Sequence, residues 1–164
     1  MKKFIIIIGI LGLGGMIVFT MVKAADTATV AATVTVQNIS VSVSDGTVNY
    51  GILPLNTTKS TCDLSDTQTL TNNGNVAENF NIKGQNSNNW NLGTTPGTDV
   101  YVHKFATSSC PWTSGTALTT SYQTAATNVA PNATSTLNLQ INTPTATSYY
   151  NQQDVSVIVQ AVAY

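Results

Sequence analysis

Charge is what this chain has least of. Charged residues make up 8% of it, arginine is absent, and seven acids stand against six lysines. Beyond Lys23 the only cations are Lys59, Lys83 and Lys104. Nucleic acid is bound through clustered Lys and Arg that displace counterions, so that partner class is excluded. Histidine occurs once, as His103, and cysteine twice, as Cys62 and Cys110. A zinc site needs more ligands at tighter spacing. The chain has no His-Glu-x-x-His and no Gly-x-Ser-x-Gly. A glycosidase needs a carboxylate pair, and none can be picked from these scattered acids. Asp63, Ser65 and Asp66 lack the central Gly and closing Glu of a calcium loop, so they read as turn formers. His103 shares a strand face with Tyr101 and Phe105 and reads as a packed sheet residue. These absences exclude the usual catalytic constellations. No catalytic residue, cofactor or metal is expected.

In place of charge the chain carries Thr, Asn, Ser and Gln. Thr favours strands, and Asn with Gly favours the turns between them. An uncharged polar surface repels its neighbours weakly, which suits contact between copies.

Lys2 and Lys3 precede an uncharged apolar run from Phe4 to Val22. Val22-Lys23-Ala24 then places small residues where a signal peptidase reads them. The expectation is a signal peptide over residues 1–24, cleaved after Ala24, and a product that is secreted or displayed at the cell surface. The competing reading is a retained membrane anchor, since the run is long enough to span. After cleavage no membrane association is expected. In an exported chain the even cysteine pair reads as a Cys62–Cys110 disulfide.

The segment after the leader is the most informative. Ala28, Val30, Ala32, Val34 and Val36 alternate with residues that are mostly Thr. In a strand this gives one apolar and one hydroxylated face. After Asn38 the apolar positions become odd, at Ile39, Val41 and Val43. A continuous strand would then turn its apolar side outward, so a bulge or kink is expected near Gln37-Asn38. Residues 25–38 thus read as a separable strand, and residues 39–164 as the domain proper.

Within that domain Asp45-Gly46 separates two alternating runs and predicts a type I′ hairpin to Thr47–Tyr50. Further strands are expected over Thr67–Thr71, Ala77–Lys83 with Phe80 and Ile82 inward, Val100–Phe105, around Leu137–Ile141, and Asp154–Tyr164. About eight or nine short strands with turn signals, and no convincing helix, predict an all-β antiparallel sandwich of jelly-roll or immunoglobulin-like type. Trp90 and Trp112 fall in loops. They could stack on sugars, or cap the ends of the core. Asn38, Asn56 and Asn132 head acceptor sequons for glycosylation.

Tyr50-Gly51-Ile52-Leu53-Pro54-Leu55, followed by Leu70-Thr71-Asn72-Asn73-Gly74-Asn75-Val76-Ala77-Glu78-Asn79-Phe80, resembles TasA/camelysin-like secreted proteins of biofilm matrices. It is also similar to archaeal bundling pilins. The resemblance implies a jelly-roll-like sandwich that polymerises by donor-strand complementation, each subunit lending its N-terminal strand to the next. Thr27 to Val36 would then be the donor. The expected function is a structural surface protein, a filament or matrix subunit that self-associates by strand addition. The alternative is a secreted carbohydrate- or surface-binding module that uses Trp90 and Trp112.

Overall fold

The computed structural model describes residues 26–164. The expected signal peptide, residues 1–24, lies outside them. The regular structure of the described residues is almost all strand: β1 (Val41–Val43), β2 (Thr58–Ser60), β3 (Gln68–Asn72), β4 (Glu78–Gly84), β5 (Asn91–Leu92), β6 (Val100–Ala106), β7 (Thr116–Ala117), β8 (Gln123–Val129), β9 (Thr134–Asn142) and β10 (Val157–Ala163), with one short helix, α1 (Thr61–Leu64). Two sheets result. The larger runs β1-β3-β9-β6-β5, with β2 beside β9 and β7 beside β6; the smaller runs β10-β4-β8. Every long pairing is antiparallel, and only the short β5–β6 pair is parallel. The expected all-β sandwich is therefore the fold.

Alternation builds its core. In β4 the side chains of Glu78, Phe80 and Ile82 are buried and those between them are half-buried, as period-two pleating requires. Phe80 and Ile82 are fully enclosed and meet Leu70, Phe105, Leu118, Val129, Leu137 and Leu139. Each such side chain stabilises the fold by about 1.5–3 kcal/mol relative to exposure. A second cluster, Tyr50, Tyr101 and Ile141, lies beside Val48, Leu53, Trp90 and Val155.

Cys62 and Cys110 are bonded, with Cα atoms 5.5 Å apart and 48 residues between them in sequence. The bridge ties α1 to the loop after β6. In the chain-entropy account, closing such a loop stabilises the fold by about 4 kcal/mol. The helix was not expected. It forms because Ser60 and Asp63 make a capping box, each side chain accepting the other's backbone N–H, and Ser65 ends it in the left-handed region. These bonds hold the Asp63 carboxyl below its usual range.

The hairpin at Asp45-Gly46 does not form. β1 pairs with β3 instead, and the turn is claimed by side chains. Gln68 Oε1 accepts from Ser44 Oγ and from the N–H groups of Asp45 and Gly46. Asp45 Oδ1 accepts from Thr47 N–H and Oγ. Thr47–Tyr50 leaves this turn extended but carries no strand pairing. The final strand is also shorter than its alternation. Val157 pairs with Gly84, the last residue of β4, so the residues before Val157 have no strand to meet. β8 escaped sequence reading because its Gln-Thr-Ala-Ala-Thr-Asn-Val run carries little apolar contrast.

Candidate functional site

Two features of the sandwich stand out. The first is where the chain enters it. Asn75 Nδ2 donates to Val36 O, and Asn38 N–H donates back to Asn75 Oδ1, both at 2.8 Å. Asn75 N–H donates to Asn38 O, and Ser40 N–H donates to Glu78 Oε1. Glu78 is buried, and its Oε2 finds no partner among the described residues. Gly74 leaves room for this clamp, since a Cβ there would strike Glu78 Oε1 and Asn38 O. The clamp thus spans the expected phase break near Gln37-Asn38.

No strand, helix or turn is assigned from Thr27 to Gln37. Ala28, Val30, Ala32, Val34 and Val36 are all exposed. Val30 is 89% and Val34 91% accessible. Scattered exposed apolar residues are ordinary, but a row of them at alternate positions is not.

The second feature is a groove of about 1310 Å³. Its floor is Leu137, Leu139, Ile141 and His103; one wall is Val48, Tyr50 and Leu53, and the other is Val155, Val157 and Val159. Ile52, wholly exposed, and Tyr150, 80% exposed, stand at its rim. Gly51 takes a left-handed backbone that lets Ile52 project at this turn.

The groove floor has one polar pair. Tyr50 Oη lies 2.9 Å from His103 Nε2, and His103 is buried. Burial pushes the imidazole down to about 4, opposed by the Val155 backbone. It is neutral near neutral pH and shares one hydrogen bond with the Tyr50 hydroxyl, whose direction follows the imidazole tautomer. Burial raises the Tyr50 and Tyr101 phenols well above their ordinary range, and the Asp66 charge adds to it at Tyr50.

Trp90 is half-buried on the second cluster, 6.4 Å from the Tyr101 ring centroid, and its Nε1–H donates to Thr147 Oγ at 3.1 Å. It caps one end of the core. Trp112 is half-buried over Gly115 and borders a cleft of about 460 Å³ with Cys62, Cys110, Asp63 and Gln140. Asn38, Asn56 and Asn132 are exposed. Asp66 Oδ1 accepts from Gln68 Nε2, so Asp63 and Asp66 both serve local turns. Among the described residues no three His, Cys, Asp or Glu gather as metal ligands, and no helix is long and apolar enough to cross a membrane.

The entry clamp and the groove were not found from sequence. Asn75 and Glu78 gave no periodic signal. The groove wall did leave one, in the alternation of Val48 with Tyr50 and of Val155 with Val157. No family model, no curated protein and no solved structure matches the chain.

Proposed function

We propose that this chain is an exported structural subunit of a cell-surface or extracellular filament or matrix, and that copies associate by β-strand addition. The observation that carries this reading is the segment Thr27–Val36. It has the alternation of a half-buried strand, yet its apolar side chains are exposed and it makes no backbone-to-backbone hydrogen bond among the described residues; only Val36 O is held, by the Asn75 side chain. An exposed segment of this kind is a standing invitation to another sheet. The disulfide fits an oxidising compartment. The shortage of charge lowers the repulsion between copies.

Negative-stain microscopy of the secreted protein tests this. Fibres or ordered sheets are expected, and a monodisperse monomer at high concentration contradicts the reading.

The cleft beside Trp112 favours a second reading, a carbohydrate-binding module, because its volume falls within the roughly 300–1,000 Å³ of small-ligand sites. Trp112→Ala separates the two. Loss of thermal stability without loss of glycan binding leaves the residue structural; loss of glycan binding at unchanged stability supports the module.

A further inference from the structure

The domain contains two more segments without main-chain partners. Thr47–Leu53 makes no backbone-to-backbone hydrogen bond, and neither does Asp154–Ser156. Both line the groove. The free edge of β10 continues the second of them. Tyr164 N–H donates to Ala77 O, which fixes the antiparallel alternation. By that alternation Ile158, Gln160 and Val162 bond to β4. The N–H and C=O groups of Val157, Val159 and Ala161 then face away from β4, into the open side of the sheet. Gly84 agrees, because its N–H donates to Thr119 O, away from Val157.

We infer that this groove is the acceptor slot for residues Thr27–Val36 of a second copy, which enters between β10 and Thr47–Leu53 and bonds to both. The inference rests on the strand-addition reading and names where the strand goes. The volume, about 1310 Å³, exceeds that of ordinary small-ligand sites and suits a peptide. Val30, Ala32 and Val34 face the apolar floor of Leu137, Leu139 and Ile141, and the threonines face solvent. Leu137, Leu139, Ile141, Val155, Val157 and Val159 give the slot an apolar lining that suits the Ala and Val face of the strand, and Asp154 is the acid that borders it. On docking, Thr47–Leu53 becomes the strand that its sequence encodes.

Donor and acceptor are made of different residues: Thr27–Val36 on one side, and Thr47–Leu53 with Val155, Val157 and Val159 on the other. The contact is therefore heterologous and propagates head to tail.

A pair of variants tests the slot. Val34→Asp spoils the donor and leaves the groove intact. Val157→Pro removes an N–H that bonds nothing in the isolated domain but faces the incoming strand, and proline is tolerated on such an edge. With the native chain as reference, each variant alone is expected to stay monomeric in sedimentation. An equimolar mixture is expected to form dimers that do not grow, because one variant still donates and the other still accepts. If Val157→Pro forms fibres as the native chain does, the slot is wrong while strand addition survives. If the native chain forms no assembly, strand addition itself fails and the slot with it. Should Val157→Pro not fold, amide exchange of the native chain decides. Backbone N–H groups of Thr47–Leu53 and of Val157 and Val159 are expected to slow about 100-fold or more on assembly. Unchanged exchange there, in material that has assembled, overturns the slot.

Discussion

β4 and the segment Thr27–Val36 carry the same kind of pattern and meet opposite fates. Both alternate apolar with polar residues. In β4, Phe80 and Ile82 are wholly enclosed and the strand is paired on both sides. In Thr27–Val36 the apolar row is exposed and the backbone pairs with no other strand. Alternation therefore encodes the readiness to be a strand, and a partner edge decides whether the strand forms. β4 has β10 and β8. The N-terminal segment, Thr47–Leu53 and Asp154–Ser156 have none within their own domain.

The largest expected effect comes from breaking the paired side of that comparison. Phe80→Ala empties a fully buried site and should destabilise the domain by about 3–5 kcal/mol in chemical unfolding. Val34→Ala, in an unassembled chain, should leave the same unfolding curve within about 0.5 kcal/mol, because it removes only exposed surface.

Removing the bridge comes next. Cys62→Ser with Cys110→Ser should cost up to about 4 kcal/mol in the same measurement, with no fibre-specific effect at permissive temperature. The free thiols of freshly secreted native protein should be undetectable by thiol labelling without reductant.

Acid tests the groove floor. His103 has a folded pKa near 4 and an unfolded value near 6.5. Between these values the unfolded chain binds the extra proton, so stability rises with pH. The domain should thus lose stability as pH falls from about 6.5 toward 4, by on the order of 3 kcal/mol in total. His103→Gln should flatten that part of the curve. An unchanged slope would show that His103 protonates without cost.

The smallest effect is at the entry clamp. Gly74→Ala forces Glu78 and Asn38 apart and should cost about 1–3 kcal/mol. It should also loosen the Val36–Ser40 backbone, seen as faster amide exchange at Asn38 and Ser40.

Much of the fold was legible where side chains contrast sharply. Phe80, Ile82, Leu137, Leu139 and Ile141 mark their strands by alternation, and each is buried. β8 was hidden because Ala and Thr differ little in hydrophobicity. The Asp45-Gly46 hairpin was misread because Gln68, distant in sequence, captures the turn. The capping box of α1 was written in Ser60 and Asp63 but concerns only one helical turn. At the candidate site the donor segment was plain from Ala28 to Val36. The groove was not, because the segments that line it, Thr47–Leu53 and Asp154–Ser156, pair with no strand. Both were read as strands from Val48, Tyr50 and Val155, because alternation shows nothing of whether a partner edge is there.

The central claim is that Thr27–Val36 is a strand for another copy and no part of its own domain's stability. Val34→Asp, measured by sedimentation velocity and thermal melting beside the native chain, tests it most directly. The native chain should assemble, while the variant should stay monomeric with an unchanged melting temperature, since an unpaired carboxylate is costly only inside the acceptor's apolar groove. A variant that assembles like the native chain, or one that unfolds, would contradict it.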